Sequence, residues 1–189
     1  MEKSVLGIKI KLEKRREYNI FKNRCIMQKM KKIGFTIGKF APFHKGHQYL
    51  IETGLKEMDE FYVVVYETNL INIPLEQKAE WIQNKYPLAK ILLAKNPPSQ
   101  YGLDEISVKI QVDYLKNIIG NIEVTHFYSS EKYGEFVARD FNIINRIVDY
   151  DRTHINVRAT DIRLNVDKYI NFLDETVLKD FKEKKRSYK

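Results

Sequence analysis

A chain of 189 residues, 43% hydrophobic and 31% charged, is long enough to bury one sizeable core and short enough to be one domain with a tail. It holds no apolar run near the ~18 residues that span a membrane, its N-terminus is charged throughout with no secretory signal pattern, and its one cysteine, Cys25, rules out an intramolecular disulfide and fits a cytoplasmic location. The net charge of +8 is local: residues 1–32 hold eleven basic and three acidic side chains, while the 22 basic and 22 acidic side chains of 33–189 cancel.

The basic character therefore belongs to an N-terminal extension, 1–32, and not to a face of the fold. A mobile, solvated extension is expected there, with an amphipathic helix over Tyr18 to Met30 as an alternative, and Met27 and Met30 as alternative start positions. Nucleic-acid binding is not expected. The body runs over 33–185.

Ile33 to Ile37 opens the body as a short strand, bounded by Gly34 and Gly38. A polar turn, Lys39 to Gly46, carries Pro42, His44 and Gly46, with His47 directly after it. Tyr49, Leu50, Leu55 and Met58 then recur at helical spacing. A strand, a glycine-bearing turn and a helix in this order form a phosphate site in α/β sheets. The helix start offers free N–H groups and the positive end of its dipole, and two imidazoles three residues apart can both face an anion. A metal pair is the weaker reading of these histidines, because no partner Cys or His set stands at zinc spacing.

Phe61 to Tyr66, FYVVVY, reads as a buried parallel strand. Leu75 to Tyr86 is predicted helical, opening after Pro74 and closing before Pro87. Lys90 to Ala94 is a third strand. The breaker-rich loop Asn96 to Gly102 leads to a helix over Asp104 to Ile119, capped near Asp104 and ended by Gly120. Val124 to Ser129 is a fourth strand, Glu131 to Phe141 a helix and Ile143 to Val148 a fifth strand. A polar loop, Asp149 to Asn156, precedes Val157 to Arg163, in which Thr160 and Asp161 read as a helix cap and first turn with Arg163 one turn in. The rest, to Lys185, is helical in pieces. Alternating strands and helices predict an α/β fold: a doubly wound parallel sheet of about five strands, helices on both faces and a helical C-terminal part, with ligands past the carboxyl ends of the strands.

Gly38-x-Phe40-x-Pro42-x-His44-x-Gly46-His47, directly after a strand, resembles the first signature of the nucleotidyltransferase superfamily, and Val157 to Arg163 resembles its second, Ile/Val-Ser-x-Thr-x-Ile-Arg. Arg158 stands where that pattern has Ser. Three further features narrow the resemblance to the nicotinamide-mononucleotide adenylyltransferase domain of bacterial bifunctional NAD-biosynthesis proteins: Trp81 in its helix, the run Ser129-Ser130-Glu131-Lys132-Tyr133-Gly134, and the spaced aromatics from Tyr169 to Phe181. Read as residues alone, Trp81 is either a core residue or a ring that stacks on a flat substrate, and Ser129 to Gly134 is also a capping pattern. Lys78 replaces an Arg those relatives show three residues before the Trp. The chain contains no Gly-x4-Gly-Lys-Ser/Thr phosphate loop, so the kinase activity of those relatives is not expected.

The resemblance implies a Rossmann-like sheet and a reaction of ATP with nicotinamide mononucleotide that gives NAD and pyrophosphate. By that resemblance His44, His47, Lys39 and Arg163 are catalytic, while Gly38, Phe40, Pro42, Gly46, Thr160, Arg158, Trp81, Ser129, Ser130 and Glu131 bind substrate. Magnesium would be held mainly by nucleotide phosphates and water. A homo-oligomer is left open. The competing expectations are the same chemistry on another acceptor, such as nicotinate mononucleotide, pantetheine phosphate, FMN or a CTP-dependent pair, and a nucleotide-binding sensor without turnover.

Overall fold

The computed structural model describes residues 31–100 and 102–186; the expected extension lies outside them except for Lys31 and Lys32. Five strands form one parallel sheet in the order β3-β2-β1-β4-β5: β1 Ile33–Gly38, β2 Glu60–Tyr66, β3 Lys90–Ala94, β4 His126–Ser129 and β5 Ile144–Ile147. Crossover helices join consecutive strands: α1 Lys45–Glu57, α2 Leu75–Lys85, α3 Glu105–Ile119 and α4 Tyr133–Phe141. After β5 come α5 Ala159–Leu164, a 3-10 turn Ile170–Phe172 and α6 Glu175–Arg186. The expected α/β architecture, with its five strands and helical C-terminal part, is the observed one.

Alternation along the strands divides the core in two. Phe61, Val63, Val65 and Tyr128 pack with Ile51 of α1, Trp81 and Ile82 of α2 and Phe181 of α6. Phe35, Val64, Tyr66 and Phe127 point the other way, onto Val108, Val112 and Leu115 of α3 and Val137 of α4. This is why β2 reads as an unbroken apolar run: both of its faces are covered. Gly54 lets α1 lie directly on β2, because a Cβ there would collide with the ring of Phe61.

Element ends follow local chemistry. Asp104 accepts from the Ser107 backbone N–H at 2.9 Å and caps α3, as its position predicts. Two expected caps are corrected. Arg158, not Thr160, is the N-cap residue of α5 and makes no side-chain cap bond, because the helix begins at Ala159, two residues earlier than a Thr160 cap would place it. Ser129 does not cap α4 either; its hydroxyl donates to the Glu131 carbonyl at 3.2 Å, and the helix starts only at Tyr133.

The chain leaves β1 toward β2 and β3, then returns to the other side of β1 to lay down β4 and β5. The crevice between the carboxyl ends of β1 and β4 is thus the point where strand order reverses, the place where such sheets bind ligands.

Candidate active site

A cleft of about 650 Å³ opens at that point. The turn after β1, the start of α1, the end of β4 and the segment entering α5 line it. Twelve of the residues singled out in the sequence are on its wall: Gly38, Lys39, Phe40, His44, Gly46, His47, Ser129, Ser130, Glu131, Arg158, Thr160 and Arg163. Pro42 and Trp81 are not. Pro42 is buried inside the turn, following a cis peptide bond from Ala41. Trp81 is a core residue, 6% exposed, whose indole N–H donates to Asp180 Oδ2 at 2.8 Å. Stacking of Trp81 on a substrate ring is therefore corrected: α2 turns that face toward α6, not toward the cleft.

The two histidines have an unexpected local logic. His44 is the N-cap of α1 and His47 its third residue, and together they form a reciprocal capping box. His44 Nδ1 accepts from the Gly46 backbone N–H at 3.1 Å, and His47 Nδ1 accepts from the His44 backbone N–H at 3.4 Å. The spacing His-x-Gly-His is thus a capping box with imidazoles in place of Ser and Glu. A side chain at 46 would put its Cβ 3.0 Å from His44 Cε1, against the ring that makes the cap. The rings stack with centroids 3.7 Å apart.

Those backbone bonds fix the protonation of both rings. With Nδ1 accepting, the hydrogen of each neutral imidazole sits on Nε2. Burial, and secondarily the Arg152 guanidinium, holds His44 down to about 3. Burial, then His44 and Arg152, pushes His47 well below the ordinary value. Both are therefore neutral N–H donors at neutral pH, not cations. Phe40 supports His47 edge-on, its ring centroid 4.9 Å from the imidazole, in a left-handed backbone conformation (φ 46°).

The charge on the wall comes from elsewhere. Arg163 donates to the Ala41 carbonyl at 2.6 Å and to Thr160 Oγ1 at 3.0 Å, so it ties the second signature to the first. Burial and then the Arg163 charge push the Lys39 ammonium down. Arg158 is exposed on the wall. Arg152 adds a further cation that sequence reasoning missed: it donates to the Val157 carbonyl at 3.0 Å and lies 3.8 Å from Glu131. Its loop is held by Asp149, whose carboxylate accepts the backbone N–H groups of His154 and Ile155, both at 2.9 Å. The signal available in the sequence was an Arg inside the polar loop just ahead of the second signature. Lys39, Arg152, Arg158 and Arg163 around two imidazole donors make a cleft built for an anion of high charge.

Among the described residues, no three His, Cys, Asp or Glu side chains converge as metal ligands.

Residues 34–149 match the family described as the citrate lyase ligase C-terminal domain. The chain belongs to this family. It carries a nucleotidyltransferase-type domain, as its two signatures indicate. The trifunctional NAD biosynthesis/regulator protein NadR of Salmonella typhimurium is 24% identical over 169 residues, which cover 79% of this chain and 40% of that protein. A crystal structure of NadR in complex with NAD and AMP-PNP shares the fold with a TM-score of 0.54, at 23% identity, over 75% of this chain and 44% of that one. A bifunctional NMN adenylyltransferase/ADP-ribose pyrophosphatase of Francisella tularensis, crystallised with AMP and a manganese ion, shares it with a TM-score of 0.54, at 19% identity, over 78% of this chain and 44% of that one. At these identities the structural likeness is one of fold. The chain spans about 40% of the length of its curated relative.

Proposed function

We propose that this protein is an adenylyltransferase that joins ATP and nicotinamide mononucleotide to give NAD and pyrophosphate. The observation that carries this reading is the imidazole capping box at the start of α1, facing a cleft ringed by Lys39, Arg152, Arg158 and Arg163. The relatedness to NadR and the fold shared with an NMN adenylyltransferase support the choice of acceptor.

In this reading an oxygen of the mononucleotide's phosphate attacks the α-phosphorus of ATP. The bond from that phosphorus to the β-bridging oxygen breaks, and its electron pair leaves with pyrophosphate. The nucleophile is already ionised at neutral pH and needs no general base. Catalysis is positioning plus stabilisation of charge. His44 and His47 donate Nε2–H to the α-phosphate as charge builds on it. Lys39 neutralises phosphate from the same turn. Thr160 and Arg163 hold the β- and γ-phosphates and then the departing pyrophosphate, with Arg158 beside them. Gly38, Gly46, Ser129, Ser130 and Glu131 form the wall against which the nucleotide lies. A magnesium ion bound with the nucleotide would supply further charge neutralisation. A cytoplasmic location goes with this reading, and whether the protein assembles is left to measurement.

The family description favours a second reading, in which the same cleft activates an acceptor other than nicotinamide mononucleotide. Pyrophosphate release with ATP and a panel of acceptors separates the two: release with nicotinamide mononucleotide supports the first, and release only with another acceptor replaces it.

A further inference from the structure

Lys78 is fully buried, 0% exposed, although α2 could have put an apolar residue there. Its ammonium donates to the carbonyl of Tyr66 at 2.7 Å and to the carbonyl of Lys39 at 3.2 Å. Among the described residues no carboxylate pairs with it. Burial holds it down to about 8, against an opposing pull from Glu67 and with a smaller push from Lys39. Burying an ammonium without an ion pair is costly, and a hydrophobe of similar volume would serve the core better. What a hydrophobe could not do is bind two carbonyls at once.

The two carbonyls lie where the neighbouring strands end. Tyr66 is the last residue of β2, and Lys39 follows Gly38, the last of β1, which pairs in register with Val65. The Lys39 carbonyl belongs to the peptide that leads into Phe40, the left-handed residue whose ring braces His47. Such a conformation persists only where its surroundings over-determine it. A continuous path therefore runs from the ammonium through the Lys39–Phe40 peptide and the Phe40 ring to the His47 imidazole.

We propose that Lys78 is a positioning residue: its ammonium clamps the ends of β1 and β2 and, through Phe40, sets the place of His47 in the cleft. It touches no substrate. The proposal rests on the adenylyltransferase reading for its kinetic readout but not for its structural one.

The test uses the full chain with Lys78→Met, which keeps the volume and removes the donors, and Lys78→Arg, which keeps donors for both carbonyls. Lys78→Gln, too short to span both, stands in for Met should that variant not fold. Two quantities are read: pyrophosphate release, as kcat and KM for ATP, and amide hydrogen exchange of the segment 38–43. Loss of the clamp is expected to speed exchange at 38–43 severalfold and to lower kcat on the order of tenfold to a hundredfold, with KM for ATP changed by less than about threefold. Lys78→Arg restores both. A folded Met or Gln variant with turn exchange and kcat within about twofold of the parent overturns the proposal. So does a loss confined to KM, or a Lys78→Arg as slow as Lys78→Met. If the parent releases no pyrophosphate with any acceptor, the functional reading fails while exchange at 38–43 still decides the clamp.

Discussion

At the scale of single residues, the cleft works with neutral donors surrounded by fixed cations. His44 and His47 each accept a backbone N–H at Nδ1 and keep a hydrogen on Nε2. Removing one preorganised donor typically costs about a hundredfold or more in rate, so His47→Ala is expected to lower kcat by that order while circular dichroism shows an intact fold; a variant with most of its turnover would remove His47 from the chemistry. Burial depresses both imidazoles, so the folded protein binds fewer protons than the unfolded chain. Their contribution to stability is present above the ordinary value of 6.5 and is lost as pH falls below it, for His44 down toward about 3. Thermal unfolding should show the melting temperature dropping from pH 7 to pH 5, the His44 contribution approaching a slope of about 1.4 kcal/mol per pH unit below its ordinary value and His47 acting in the same direction. His44→Asn keeps a capping acceptor and should flatten that slope. The motif histidines, Lys39 and Arg163 could be read from spacing alone. Their tautomers could not, because these depend on which backbone N–H each ring meets. Arg152 stayed hidden because an Arg in a polar loop looks like surface until the loop folds over the cleft.

At the scale of elements, helix α1 is what makes His-x-Gly-His work. Gly46→Ala puts a Cβ against the His44 ring and should reduce turnover far more than it reduces stability, read as kcat beside the melting temperature. Equal and small effects on both would mean that the cap has room to spare. Helix α2 teaches the converse. Its limits were legible from Pro74 and Pro87, but not which neighbour its Trp81 face would meet. A lone aromatic on an amphipathic helix looks the same whether it borders a core or a cleft; α6 decides it, through Asp180 and the apolar cluster that holds Phe181. Trp81→Phe should therefore lower stability by about 1–3 kcal/mol and leave KM for the mononucleotide unchanged. A selective rise in that KM would return Trp81 to the site. Strand number and position were readable from apolar runs and breakers. Strand order was not, since it depends on which edge each crossover returns to.

At the scale of the whole molecule, the fold places two signatures from distant parts of the chain on one crevice, and Arg163 joins them through the Ala41 carbonyl. The sequence's +8 lies in residues 1–32, whereas the cations that serve the cleft belong to a body of zero net charge. Local placement, not total charge, sets up the anion site. The most direct test of this account is pyrophosphate release by purified protein with ATP, magnesium and nicotinamide mononucleotide, with NAD identified by chromatography and His47→Ala run in parallel. NAD formation with ATP is expected, falling on the order of a hundredfold in the variant. Pyrophosphate released only with a different acceptor, or NAD formed equally well by His47→Ala, would contradict it.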